Sequence, residues 1–557
     1  MKKVLLGLLT LTFGLAQAQR YSTEVFSQVQ VTSNVEYGVN VDFLTSDLSN
    51  QGQIITDITD IQTNIAMGNP IPAAYFDPAD ASTDVKLTKL LMDVYEPMGD
   101  TQTERPLMIY IHTGNFLPPP LNGSPLGLKT DSAAIIMCER WAKRGFVAIS
   151  MDYRLGWNPV ASGPTGPIVR RATLLNAVYR ALHDTKHLVR GLKAEAANTN
   201  PYSIDTNKII LFGEGSGGYV ALAYATLDKQ SETEIQKFIY PGTTDSSYVQ
   251  PSLVGDVEGL GGLLNLYTDN GSSSEVAFVV NSGGALADTS WLEAGDAPMV
   301  SIQCVRDPFA PFGEGTVVVP TTQEDVVDVQ GANVFMVKAN ALGNNDSYQV
   351  GYTYNDSYTL AARRSYGATY SYIYPAPFDQ ITVNTAEGLF PVVRPLGAST
   401  FQNEGSPWQW WDPNSPLATS VVAAGPPPVT AHQASLASNM DMSSSKGRTY
   451  SDSLIGYCIP RIINSLALPI GLEEGTKLAS KIKLFPNPAS SVLNIKSDDP
   501  NISIDKVVIR DLSGKSLMTV DVNSSQEKIS IENLSQGAYL VEVVSGKEAF
   551  TQKFIKK

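Results

Sequence analysis

Residues 208–227, KIILFGEGSGGYVALAYATL, constrain the fold more than any other stretch of the chain. An apolar run of strand length enters a turn with four glycines, and a helix-like apolar run follows at once. The pattern recurs around it. LLMDVYEP, PLMIYIHTG, RGFVAISMDYRLG and APMVSIQCV read as further buried strands, while RRATLLNAVYRALHDTKHLVRGLKAEAA carries apolar or small residues at helical spacing. This alternation predicts an α/β body, a mostly parallel sheet flanked by helices.

At 557 residues the chain is too long for one compact domain. Residues 1–18 combine Lys2 and Lys3, an apolar run from Val4 to Leu15, and a small-x-small end at Ala16 and Ala18, which is the pattern of a cleaved signal peptide. That run is too short and too interrupted to span a membrane, and no later segment is long and apolar enough. The expected product is soluble and exported. Residues 19–84, polar with strand-like patches, are expected to form a β or irregular segment packed on the body. Residues 85–476 are expected to form the α/β body, within which about 340–430, rich in Tyr, Trp and Pro, would build a lid or substrate wall. YSDSLIGYCIPRIINSLAL reads as the body's last helix and EEGTKLASK as a linker. Residues 481–557 alternate short strands with turns, the pattern of a small all-β sandwich.

From residue 477 onward 12 basic residues stand against 9 acidic ones, so with a chain total of −15 and two lysines in the leader, residues 19–476 carry a net −20. So acidic a body repels phosphate backbones and excludes nucleic acid as a partner. Cys138, Cys304 and Cys458 lie in apolar settings and read as buried free thiols.

KLFPNPASSVLNI, RDLSGKSL and LSQGAYLVEVVSGKEAFTQKFIKK follow one another in a segment that resembles the C-terminal sorting domain of cargo for the bacterial type IX secretion system. That resemblance implies passage across the outer membrane through the secretion machinery, with release or surface attachment. The region from about 85 to 315 resembles the carboxylesterase branch of the α/β-hydrolase fold, through MIYIHTGNF, ISMDYRLG, ALHDTKHLVRGLKAEAA before PYSIDTNKIILFGEGSGG, and APMVSIQCVRDPFAPF. This second resemblance implies a serine ester hydrolase acting on a small-molecule or polymer ester, with no cofactor and no metal.

Such an enzyme seats its nucleophile in G-x-S-x-G, where only small residues fit two places before and after the serine. Here Gly213 and Gly217 frame Gly215, which leaves the seat without a hydroxyl; if Ser216 is the nucleophile, Glu214 stands where a small residue belongs. Asp307, after a buried strand, is the candidate carboxylate. His112, His183 and His187 precede the elbow, so chain order leaves His432 as the candidate base. Gly114 and Asn115 of HTGNF, with Gly217, are the candidate oxyanion donors, and His112 shapes that loop. His183 and His187, four apart on a helix, read as surface residues with no third metal ligand. Two functions stay open: an ester hydrolase in which Ser216 attacks, His432 is the base and Asp307 orients it, and a catalytically inactive extracellular binding protein. A third reading, Glu214 acting with a water as an unusual base, lacks an evident partner.

Overall fold

The computed structural model describes residues 20–319, 324–372, 379–384, 386–398, 403–469, 481–499, 502–511, 515–546 and 548–557. The expected signal peptide and nearly all of the linker lie outside them. Two compact units result, one of them Phe26–Leu466 and the other containing Ala467–Lys557.

The larger unit is built on an eight-stranded sheet. Its strands are β1 (Val29–Val41), β2 (Leu87–Pro97), β3 (Arg105–Ile111), β4 (Val147–Met151), β5 (Ile204–Glu214), β6 (Phe278–Ser282), β7 (Met299–Cys304) and β12 (Leu389–Val392). They lie in the order β1-β2-β4-β3-β5-β6-β7-β12. β1 pairs antiparallel with β2 and β2 antiparallel with β4, and every later pair is parallel, with Ile109 opposite Leu211 and Phe212 opposite Val280. Every residue of β3, β4, β6 and β7 is buried, as both-face coverage by helices requires. Burying one Ile, Leu or Val side chain contributes roughly 1.5–3 kcal/mol, so these short strands hold much of the core energy. The unit has the α/β-hydrolase fold.

Helices α1 (Gln51–Ala66), α2 (Ser132–Lys143), α3 (Gly166–Asn198) and α4 (Ser216–Thr226) follow β1, β3, β4 and β5 respectively. α1 comes from the stretch expected to be β or irregular. Its Ile54, Ile58 and Ile61 form one buried stripe against Tyr75 and Leu87, and Asn50 caps its first turn by accepting from the Gln53 N–H. The strand-like patches of this region contribute the single strand β1.

After β7 comes a hairpin, β8 (Glu314–Val318) with β9 (Asp325–Gln330), then α5 (Ala332–Ala341) and a second hairpin, β10 (Thr369–Tyr372) with β11 (Asp379–Thr382). β12 then closes the sheet edge against β7. The expected wall of 340–430 is therefore divided, since its first part completes the sheet. α6 (Ala431–Leu436) and the last helix, α7 (Ser444–Ser465), finish the unit. Cys138, Cys304 and Cys458 are buried and unpaired.

The smaller unit pairs a three-stranded sheet (Ile482–Phe485, Val492–Ser497, Gln526–Ser530) with a four-stranded one (Ser516–Ser524, Ile504–Arg510, Gly537–Ser545, Glu548–Lys556). Leu493 and Ile495 of the first share a core with Val507, Ile509, Val541 and Phe554 of the second, which makes a β-sandwich. Among the described residues no helix is long and apolar enough to cross a membrane.

Candidate functional site

β5 ends at Glu214 and α4 begins at Ser216, so the whole reversal falls on Gly215, whose φ is +54° and ψ −116°. Only glycine takes such a conformation without strain. The flanking glycines are needed for closeness. A Cβ at Gly213 would stand 2.1 Å from the Gly217 carbonyl oxygen, and one at Gly217 would stand 2.1 Å from that of Ile111. The apex of the turn is thus Gly215, framed by Gly213 and Gly217, and Ser216 is the first residue of the helix.

A side chain at the apex would collide with the side chain of Thr113 as it stands. A Cβ built on Gly215 would lie 2.2 Å from Thr113 Oγ1 and 3.0 Å from Thr113 Cβ. Thr113, from the loop after β3, fills the space that a nucleophile side chain would occupy. A glycine at 215 and a threonine at 113 fit each other sterically.

Ser216 Oγ lies 3.3 Å from the Tyr153 hydroxyl, which itself donates to the His112 carbonyl at 2.9 Å. With the Tyr153 proton spent there, Ser216 is the donor between the two hydroxyls. Burial raises the Tyr153 pKa well above its ordinary value, so the phenol is no base for that proton. Glu214 resolves its steric problem by pointing elsewhere: its carboxylate accepts from the Tyr110 hydroxyl and from Trp408 Nε1, each at 2.6 Å. Burial pushes its pKa up.

Asp307 is 2% exposed and accepts the backbone N–H groups of Phe309 at 2.8 Å and Ala310 at 3.1 Å, both on Oδ1. Burial pushes its carboxyl up to about 7. His432, the second residue of α6, accepts from Trp411 Nε1 on its Nδ1 at 3.0 Å. An imidazole whose Nδ1 accepts carries its proton on Nε2, the nitrogen that a triad base must keep free to take the serine proton. Ser216, Asp307 and His432 are therefore not joined as a hydrogen-bonded triad.

The other histidines are structural. His112 donates from Nδ1 to the Thr113 carbonyl and stacks on Tyr153 with ring centroids 4.4 Å apart, and burial lowers its pKa to about 4. The surface reading of His183 and His187 is corrected by the packing of α3. His183 is wholly buried with its ring against Tyr179, and His187 stacks on Tyr267 at 3.8 Å. Among the described residues no group of three or more His, Cys, Asp or Glu side chains could hold a metal ion.

The candidate oxyanion loop runs through the left-handed region of backbone space. Gly114 and Asn115 have φ values of +126° and +53°, and the Asn115 carbonyl is held by Trp157 Nε1 at 2.8 Å. A Cβ at Gly114 would lie 2.7 Å from Gly127 Cα, so the loop needs glycine there. The N–H groups of Gly114, Asn115 and Gly217 have no acceptor among the described residues.

The site borders a cavity of about 820 Å³. Thr113, Gly114, Asn115, Gly215, Ser216 and Asp307 line it, while Gly217 and His432 do not. Much of the remaining wall is apolar: Leu174, Leu175, Val178 and Leu182 of α3, Trp291, and Val326 and Val329 of β9. Of the region expected to form a lid or substrate wall, Ser406, Gln409 and Trp411 line the cavity, and residues between Ala434 and Asn439, just beyond that region, contribute further lining. Sequence reading missed Thr113, Tyr153 and the α3 wall. The non-glycine in the second place of HTGNF was the available signal for the first.

Residues 483–557 match a family model described as a secretion system C-terminal sorting domain. The tail is a sorting domain. It directs export through the type IX machinery to the cell surface or beyond. No curated protein matches the chain in sequence. Among solved structures, the chain is similar to esterase 2 of Thermogutta terrifontis. The cyclosarin-phosphonylated form is 18% identical with a TM-score of 0.26, over 40% of this chain and 69% of that one. The propionate-bound form is 17% identical with a TM-score of 0.25, over 40% and 70%. The paraoxon-phosphorylated form is 20% identical with a TM-score of 0.26, over 40% and 69%.

Proposed function

We propose that Phe26–Leu466 is a catalytically silent binding unit, which holds an apolar small molecule in its cavity after the sorting tail has taken it out of the cell. The observation that carries this reading is the 2.2 Å between Thr113 Oγ1 and the place of a Cβ at Gly215. With the seat filled, hydrolysis would need Ser216 to attack from the first turn of α4. Its hydrogen-bond partner is a buried tyrosine rather than an imidazole, and a serine without a neighbouring base is a weak nucleophile. Glu214 offers no substitute, because both of its oxygens accept hydrogen bonds and it does not line the cavity. What supports binding is a large, mostly apolar cavity with a few polar groups at one part of its wall, the usual form of a small-molecule site.

The test is intact-mass analysis of the full mature chain after exposure to a fluorophosphonate probe. The expected result is no stoichiometric adduct, in the natural protein and in Ser216→Ala alike. A single adduct on the natural protein that Ser216→Ala abolishes would overturn the proposal in favour of a serine ester hydrolase.

A further inference from the structure

In a working hydrolase of this fold Asp307 would orient an imidazole, and here none is bound to it. Its two hydrogen bonds both fall on Oδ1, and Oδ2 accepts none from the described residues. The residue is 2% exposed yet lines the cavity. Among the other buried carboxylates of the same unit, Asp131 also accepts only two backbone N–H groups, from Gly127 and Leu128 on one oxygen, but it does not line the cavity, while Asp184 and Asp93 are completed by side chains. Asp184 is met by Arg154 Nε at 2.8 Å and the Tyr267 hydroxyl at 2.7 Å, and Asp93 by Lys129 Nζ at 2.7 Å. An unpartnered carboxylate oxygen that opens on a cavity from an otherwise buried residue can be completed by whatever fills it.

We propose that Asp307 is a ligand-binding residue whose free oxygen receives the ammonium group of an amine-bearing amphiphile, the apolar part of which occupies the cavity. This rests on the reading of that cavity as a binding site. An uncharged donor would satisfy the lone pair and leave the charge; an ammonium answers both. Among the described residues no lysine, arginine or histidine contributes to the balance at Asp307, which burial sets against two backbone N–H groups alone. Residues 19–476 carry a net −20, a field that draws cations toward the unit. The wall formed by Leu174, Leu175, Val178, Leu182 and Trp291 suits a hydrocarbon chain rather than a second charge. The N–H groups of Gly114 and Asn115 pull the other way, toward a carboxylate head, so the two head groups compete on equal apolar terms.

The experiment is calorimetric titration of the full mature chain at about pH 8, where the carboxyl is mostly ionised, with n-decylammonium, decanoate and 1-decanol. Natural protein and Asp307→Asn are compared. The expected result is decylammonium binding at least about tenfold more tightly than decanoate, a preference that Asp307→Asn reduces to within about threefold while the 1-decanol affinity stays put. An absent preference in the natural protein, or one that survives Asp307→Asn, overturns the assignment and leaves the cavity reading standing if 1-decanol binds. Failure of all three probes to bind overturns both. Should Asp307→Asn not fold, the head-group preference of the natural protein decides alone.

Discussion

The two polar sides of the cavity are in opposite states. On the side of the loop after β3, Gly114 and Asn115 hold positive φ angles and present N–H groups without acceptors. On the acid–base side, the seat is a glycine, Asp307 has no imidazole, and His432 is engaged through Nδ1 by Trp411. The difference separates two requirements. A backbone cradle follows from glycine geometry and close packing, which serve binding as well as catalysis. Acyl transfer also needs three side chains in one line of hydrogen bonds, and that line is missing.

The largest expected effect lies on the intact side. In Gly217→Ala the new Cβ would meet the Ile111 carbonyl oxygen at 2.1 Å and that of His112 at 2.9 Å, both backbone atoms that cannot turn aside. Urea denaturation should show a loss of about 3–5 kcal/mol, or no folded protein; a loss below about 1 kcal/mol would mean that the elbow is loose and the comparison ill-founded.

An intermediate effect belongs to Asp307, whose folded pKa of about 7 stands above the ordinary carboxyl value of 3.8. Between those values the folded state binds more protons than the unfolded one, so ionisation of this group costs stability as pH rises from about 4 through 7. Asp307→Asn should therefore be more stable than the natural protein near pH 8, by at most about 4 kcal/mol, with the gain shrinking toward pH 4. Melting temperatures across that range check it, and a gain that is constant with pH would place the carboxyl in a different environment.

The smallest effect sharpens the contrast. His432→Ala loses one hydrogen bond from Trp411 and should cost about 0.5–1.5 kcal/mol in stability. Because His432 does not line the cavity, affinity for 1-decanol should hold within about twofold; a tenfold loss would return the histidine to the site.

Much of the fold was legible because its strands are buried on both faces. β3, β4 and β7 appear in the sequence as short, mostly apolar runs without strict alternation. The Leu389–Val392 strand was not legible: four residues, one of them proline, leave no periodicity to read. α1 hid behind isoleucines and threonines, β-branched residues that propensity assigns to strands, although Ile54, Ile58 and Ile61 keep helical spacing. His183 was misread because α3 is buried around most of its circumference, so no polar face marks its exposed side. In the site, the glycine at 215 could be read directly. The reason that a glycine stands there could not, because Thr113 is about one hundred residues away in sequence and reaches the turn only through the pairing of β3 with β5.

The filled seat is tested most directly by a double-mutant cycle on Thr113 and Gly215, read by chemical denaturation. Gly215→Ser should lose about 3–5 kcal/mol from its clash with Thr113 and from a serine at positive φ. The backbone part of that cost persists whatever stands at 113, so the cycle cancels it and isolates the contact. Combining Thr113→Gly with Gly215→Ser should recover at least about 1.5 kcal/mol relative to the sum of the single losses. Additive losses would mean that Thr113 does not occupy the nucleophile seat, and the account of a silent site would fall with it.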